Sequence, residues 1–234
     1  MRHYEHALKQ VIADIATTHR VSHPLLEPSR TVKRVLLIVI TSDRGLCGSF
    51  NTNISSFAES YYKENIQNLE SIDFLFIGRK GSEYFARRKM KGIEVITKLD
   101  RDVSYSFAAE TAENLLQHYL RGDYQEIRMI YNEFKSAISQ RVVSETLLPV
   151  DLSQNSFSEN ANENMKMAKT FAKDMIFEPD PQSIIEDLLI KHFSTQVYRC
   201  MSESVASEHG ARMTAMENAT NNARDMINNL TLTY

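Results

Sequence analysis

From Ser183 to Thr231 the chain contains no proline and a single glycine, Gly210. Nothing there breaks a helix, and roughly 50 residues at 1.5 Å each make a rod of about 75 Å. Its apolar residues follow two different rhythms. Ile185, Leu189, Phe193, Val197, Met201 and Val205 step by four. Further on, Met213, Met216, Thr220, Ala223, Ile227 and Leu230 alternate steps of three and four. The second rhythm is a heptad seam, and a heptad seam needs a partner helix. Inside the chain the only candidate is an amino-terminal helix over residues 1–20, where Tyr4, Leu8, Val11 and Ile15 recur on one face. That helix is less than half as long as the rod, so part of the seam is expected to lie bare.

Between the two helices the pattern changes. Val35-Leu-Leu-Ile-Val-Ile40 is apolar throughout, as in a strand buried on both faces of a parallel sheet. A turn, Ser42-Asp-Arg-Gly-Leu-Cys-Gly48, opens a helix whose apolar positions are Phe50, Ile54, Phe57 and Tyr61. Ile72–Ile77 reads as a strand, Gly78-Arg-Lys-Gly81 as the turn into a further helix, and Ile93–Thr97 as a short edge strand. A helix over Phe107–Leu120 and strands over Ile127–Tyr131 and Val142–Leu148 follow. Alternating strands and helices predict an α/β domain over residues 30–150, built on a mostly parallel sheet with helices on both faces. Residues 151–180 read as a polar loop and connecting segment, ending at Pro179-Asp-Pro181, where proline suits the first helical turn. The carboxy-terminal helix, over 183–233, is expected to run antiparallel to the amino-terminal one.

Several function classes drop out. Twenty-seven basic and thirty acidic residues leave a net charge of −3, which offers no bulk attraction for nucleic acid. The strongest apolar run is far too short to span a bilayer. The first twenty residues lack the apolar core and cleavage site of a signal peptide, and two cysteines make no disulfide framework, so a reducing compartment is expected.

The candidate chemistry is thin. Ser42–Ser49 sits where a phosphate loop would, after a buried strand, but has neither the G-x-x-x-x-G-K-[ST] nor the G-x-G-x-x-G spacing. Cys47 has Arg44 and a helix amino-terminus nearby, which lower a thiol pKa, yet no histidine close in sequence to serve as base. His3 with His6 and His19 with His23 have spacings a metal could use, without a cysteine or carboxylate cluster to complete a ligand set. The basic pair in Gly78–Gly81 reads as solvated. No catalytic, cofactor or metal site is expected. On the residues alone, a nucleotide-binding α/β oxidoreductase and a coiled-coil adaptor remain as alternatives.

Two stretches are more specific. Val32-Lys-Arg-Val-Leu-Leu-Ile-Val-Ile-Thr-Ser-Asp-Arg-Gly-Leu-Cys-Gly-Ser-Phe-Asn-Thr-Asn53 resembles the first strand and turn of the ATP synthase gamma subunit family. Ala206-Ser-Glu-His-Gly-Ala-Arg-Met-Thr-Ala-Met-Glu-Asn-Ala-Thr-Asn-Asn222 resembles that family's carboxy-terminal helix signature. Gly78–Gly81, Glu178–Pro181 and Ser194–Tyr198 fall in the family's order. The resemblance implies a non-catalytic rotor shaft inside a ring of three α and three β subunits. An epsilon subunit would dock on the α/β domain, and a membrane c-ring would lie at the shaft's foot. It places the assembly, with its proton transport, on the cytoplasmic face of a bacterial inner membrane. Contacts with those partners are implied for Asp43, Arg44, Gly45, Leu46, Cys47 and Gly48, for Met175 and Glu178, and for Glu208, Arg212 and Met213. It further implies more helix before Met1 and after Tyr234, a chain shortened at both ends.

Overall fold

The structure is a computed structural model that describes residues 2–19, 21–27, 31–97, 99, 103–152 and 180–233. In chain order the elements are α1 (Arg2–His19), β1 (Arg34–Ile40), α2 (Phe50–Asn65), β2 (Ser71–Ile77), α3 (Arg79–Ala86) and β3 (Glu94–Ile96). Then come α4 (Tyr105–Leu120), β4 (Glu126–Ser136), β5 (Ser139–Leu148) and α5 (Pro181–Thr233). The five strands form one sheet in the order β3-β2-β1-β4-β5. β1, β2 and β3 are parallel, with Val35 beside Ile72 and Ile40 beside Ile77. The expected α/β architecture is therefore present, and β3 is the edge strand anticipated. Among the described residues no helix is long and apolar enough to cross a membrane.

Contacts divide the chain into two compact units. The first comprises Met1–Val32, Ser104–Ile127 and Thr146–Arg199. In it the two terminal helices run antiparallel. Glu5 of α1 pairs with Arg199 of α5, while Gln182, at the other end, donates to the Ser22 carbonyl at 3.2 Å. Its core gathers Leu8, Ile12 and Ile15 from α1, Ala112 and Leu115 from α4, and Ile185, Leu189, Phe193 and Val197 from α5, all buried. This corrects the expected α1 face. Tyr4 and Val11 are 51% and 46% exposed, whereas Ile12 is fully buried. Leu8, Ile12 and Ile15 lie at the i, i+4, i+7 positions of one stripe, and Tyr4 and Val11 flank it on one side.

The second unit comprises Lys33–Val103, Arg128–Glu145 and Cys200–Tyr234. Val35 to Ile40 is buried at every position, as a central strand covered on both faces must be. Phe74, Phe76 and Phe85 pack ring against ring at 4.8–5.6 Å, tying α3 to β2. β4 and β5 both run longer than expected and meet at a two-residue turn, Ala137-Ile138, which lacks the Asn-Gly or Asp-Gly signal of a hairpin. Gly210 of α5 lies against that turn. A Cβ at Gly210 would come within 2.9 Å of the Ala137 carbonyl oxygen, so only glycine allows so close an approach. From Met213 onward the residues of α5 are mostly exposed: Met213 60%, Ile227 63%, Leu230 58%.

Candidate partner-contact site

The turn after β1 is held by hydrogen bonds to both the strand β2 and the helix α2. Thr41 leaves the strand with its backbone N–H on the Ile77 carbonyl at 2.7 Å. Asn51, in the first turn of α2, reaches back to it. Its Oδ1 accepts from the Ser42 N–H at 2.9 Å, and its Nδ2 donates to the Ser42 hydroxyl at 2.7 Å and to the Cys47 thiol at 3.2 Å. Leu46 and Gly48 both take positive φ, +64° and +56°, so the chain reverses sharply between them. The reversal buries Cys47 and leaves Leu46 74% exposed. Leu46 is thus a surface residue of the turn and no part of the core.

The turn also terminates α3. That helix's leading amides are unsatisfied within the helix itself. Asp43 Oδ1 accepts from the Arg79 N–H at 2.9 Å, the Ser42 carbonyl from Lys80 at 3.0 Å, and Thr41 Oγ1 from Gly81 at 2.8 Å. The Arg79 guanidinium donates to the Asp43 carbonyl at 3.0 Å. Gly78, at φ +103°, permits the junction, since a Cβ there would lie 2.0 Å from the Thr41 carbonyl oxygen. Arg79 and Lys80 are not merely solvated, as expected; both also pair with Glu83.

The third component comes from α5. Glu208 is 3% exposed, and its Oε1 accepts from Arg212 Nη2 at 2.6 Å, an i,i+4 pair on one face. The same Nη2 donates to the Gly45 carbonyl at 3.4 Å. The turn and the helix thus meet at Gly45 and Arg212, although more than 150 positions separate them in sequence, and Arg212 carries Glu208 into the same contact. Met213 projects its side chain outward, 60% exposed. Met175 and Glu178 lie outside the described residues.

Cys47 has Ser42, Asn51 and the Arg44 carbonyl as polar neighbours and no imidazole among them. Among the described residues no three of His, Cys, Asp and Glu converge to hold a metal ion; the side chains of His3 and His6 lie outside that set. Asn51 is the residue that sequence reading missed. The only sequence signal was an asparagine in the first turn of a helix following a turn, where its amide can bond back to the chain.

The whole chain, residues 1–234, matches the family profile described as ATP synthase. An ATP synthase gamma chain of Bdellovibrio bacteriovorus is 62% identical over 234 residues, all of this chain and 78% of the relative. The chain belongs to the ATP synthase gamma chain family. A second relative, the gamma chain of Anaeromyxobacter dehalogenans, is 40% identical over 98% of this chain and 75% of its own length. Among solved structures, a chain from the central stalk and c-ring of the Tetrahymena thermophila mitochondrial ATP synthase superposes with TM-score 0.61. It is 26% identical, with 93% of this chain and 99% of that chain covered. A rotor chain of the Euglena gracilis mitochondrial enzyme gives TM-score 0.63 at 18% identity, a likeness of fold. The oxidoreductase and adaptor readings fall with this membership.

Proposed function

We propose that the chain is the non-catalytic central-stalk subunit of an F-type ATP synthase, transmitting rotation of a membrane ring to the catalytic β subunits. Family membership over the whole chain supports the stalk role. The observation that carries the mechanical part is α5, a single continuous helix of 53 residues. Its last two dozen residues extend as an exposed rod of about 35 Å. One eccentric rod cannot touch three equivalent β subunits in the same way. Each β subunit therefore sits in a different state, and turning the rod redistributes those states through differential contacts.

In this reading the chemistry belongs to β, and the chain contributes stiffness, asymmetry and grip. Residues 30–150 act as the globular domain, with the helices of 1–20 and 183–233 as the shaft and 151–180 as the connection. Asp43, Arg44, Gly45, Leu46, Cys47 and Gly48, with Glu208, Arg212 and Met213, form the grip on the α and β ring, three of each. The outer face of the α/β domain receives the epsilon subunit, and Met175 and Glu178 face the c-ring. The assembly works peripherally, on the cytoplasmic face of a bacterial inner membrane.

Co-expression with the α and β subunits of the same organism tests the proposal. The chain is expected to elute with them as one complex of three α, three β and one copy of itself. Arg212→Glu, which repels Glu208 and releases the Gly45 carbonyl, should weaken that complex while the isolated chain keeps its fold. Elution of the chain alone, or a complex indifferent to Arg212→Glu, would count against the assignment.

A further inference from the structure

Charge is not spread evenly over the chain. Residues 79–91 hold six cations, Arg79, Lys80, Arg87, Arg88, Lys89 and Lys91, against one acid, Glu83, a net of +5. The whole chain carries −3, so everything outside this segment sums to −8. Three of the six cations are engaged within the fold. Arg79 and Lys80 pair with Glu83, while Arg88 pairs with Glu59 at 3.1 Å and lies 3.7 Å over the Tyr84 ring. Arg87, Lys89 and Lys91 are exposed, and their side chains make no hydrogen bond or ion pair among the described residues.

Those three stand on a bonded turn at the end of α3. The Arg88 N–H donates to the Phe85 carbonyl at 3.0 Å and the Lys89 N–H to that of Ala86 at 3.0 Å. Lys89 then takes φ +62°, a left-handed conformation that helix ends usually give to glycine or asparagine. Gly92 lays the chain on the aromatic cluster, since a Cβ there would come within 2.7 Å of the Phe76 ring. Ile93 and Val95 follow, both exposed, where the chain enters β3 at one edge of the sheet. Cations in the last turn of a helix serve its dipole. Lys91 lies beyond that turn, and Lys89 stands where glycine would be the less strained choice.

We propose that this ledge docks on a membrane surface rich in anionic phospholipid. Arg87, Lys89 and Lys91 meet headgroup phosphates, and Ile93 and Val95 enter the headgroup layer beside them. Attraction brings the surface near, and apolar contact adds the second signal that a few charges alone lack. The net −8 elsewhere is repelled by the same surface, so the chain approaches by this ledge and no other face. The inference does not use the stalk assignment and rests on none of its contact residues.

Co-sedimentation of the purified chain with lipid vesicles tests this. The chain should pellet with vesicles of equal parts phosphatidylglycerol and phosphatidylcholine, and stay in the supernatant with phosphatidylcholine alone. Binding should fall between about 0.1 M and 1 M salt, as the Debye length shrinks from about 10 Å to about 3 Å. Each cation at such a surface is worth about fivefold in affinity, so Lys89→Glu combined with Lys91→Glu should weaken binding by at least about twentyfold. Lys89→Gly separates charge from backbone: binding should weaken by about fivefold while the urea midpoint stays level or rises. Equal sedimentation with both kinds of vesicle, or undiminished binding in the double variant, would overturn the proposal. So would tighter binding of polyglutamate or duplex DNA than of the anionic vesicles, lost in the same variant, because the ledge would then belong to a protein or nucleic-acid partner.

Discussion

The two halves of α5 are continuous in backbone and opposite in circumstance. In the first unit, Ile185, Leu189, Phe193 and Val197 are at most 1% exposed, packed in the core that α1 and α4 share. In the second unit, beyond the Gly210 contact with the hairpin, Met213, Met226, Ile227 and Leu230 are 58–65% exposed. The apolar content is similar, and each half sets its apolar residues along one stripe. What differs is cover. A helix is held by the apolar face it buries far more than by its propensity, so one sequence can be anchor at one end and free rod at the other.

That contrast predicts its largest effect in hydrogen exchange. Amides of β1, Val35–Ile40, should open only with global unfolding, at about 5–15 kcal/mol. Amides from Met213 to Leu230 should open locally at about 0–2 kcal/mol, since every residue from Met216 onward is exposed. Asn218, Thr220, Asn221, Asn222, Asn228 and Asn229 are poor helix formers and make this end weaker. The measurement belongs at a concentration where the chain is monomeric. Equal protection in the two segments would mean that the distal seam has found cover, and the contrast would be void.

The next effect is in side-chain truncation. Phe193→Ala, at 1% exposure, should cost about 3–5 kcal/mol through lost burial and the cavity left behind. Leu230→Ala, at 58% exposure, should change stability by less than about 0.5 kcal/mol. Urea midpoints for both variants decide it. A cost above about 2 kcal/mol for Leu230→Ala would reveal burial that the monomer lacks.

Smaller, but sharper in sign, is Gly210→Ala at the boundary. Inside a helix this change ordinarily stabilises by about 1 kcal/mol. Here the new methyl would meet the Ala137 carbonyl oxygen at 2.9 Å and its Cα at 3.1 Å, both backbone atoms. The hairpin must shift, so a net loss of about 1–3 kcal/mol is expected. A stabilised variant would show that the hairpin does not brace the rod.

These elements differ in how far the sequence disclosed them. The run Val35–Ile40 and the breaker-free stretch to Thr231 were plain because each is a local pattern that one physical requirement produces. The bare distal seam was legible for the same reason. Ile12 was missed in favour of Val11 because periodicity finds a stripe without fixing where its centre lies. The Asp43 carboxylate on the Arg79 amide, 36 positions away, left no local trace. Nor did the Gly45–Arg212 contact, although both residues belong to segments that the family resemblance singled out. Asn51 looks like any asparagine in a first helical turn; only the fold makes it the organiser of the turn before it.

The smallest expected effect separates the two halves by pH. His23, 8% exposed, belongs to the covered end, and its Nδ1 accepts the Leu25 N–H at 3.2 Å. That bond needs an unprotonated Nδ1. Burial lowers the imidazole pKa below its ordinary 6.5, and the Glu186 carboxylate on α5 opposes the shift without cancelling it. The sign follows from linkage. Above 6.5 neither the folded nor the unfolded chain protonates His23, and the site's contribution is complete. As pH falls below 6.5 the unfolded chain binds a proton that the folded chain refuses, so stability declines until the folded pKa is passed. Other histidines and carboxylates titrate as well, and the comparison must be differential. His23→Gln removes the titration while keeping an acceptor, so wild type and variant should hold a constant difference in urea midpoint above pH 6.5. Below it, wild type should lose ground relative to the variant. Exchange of distal amides, Met213 to Leu230, should show no matching difference between the two proteins, because they belong to the other compact unit. A midpoint difference that stays constant down to pH 5 would remove the buried imidazole from the account of the covered half.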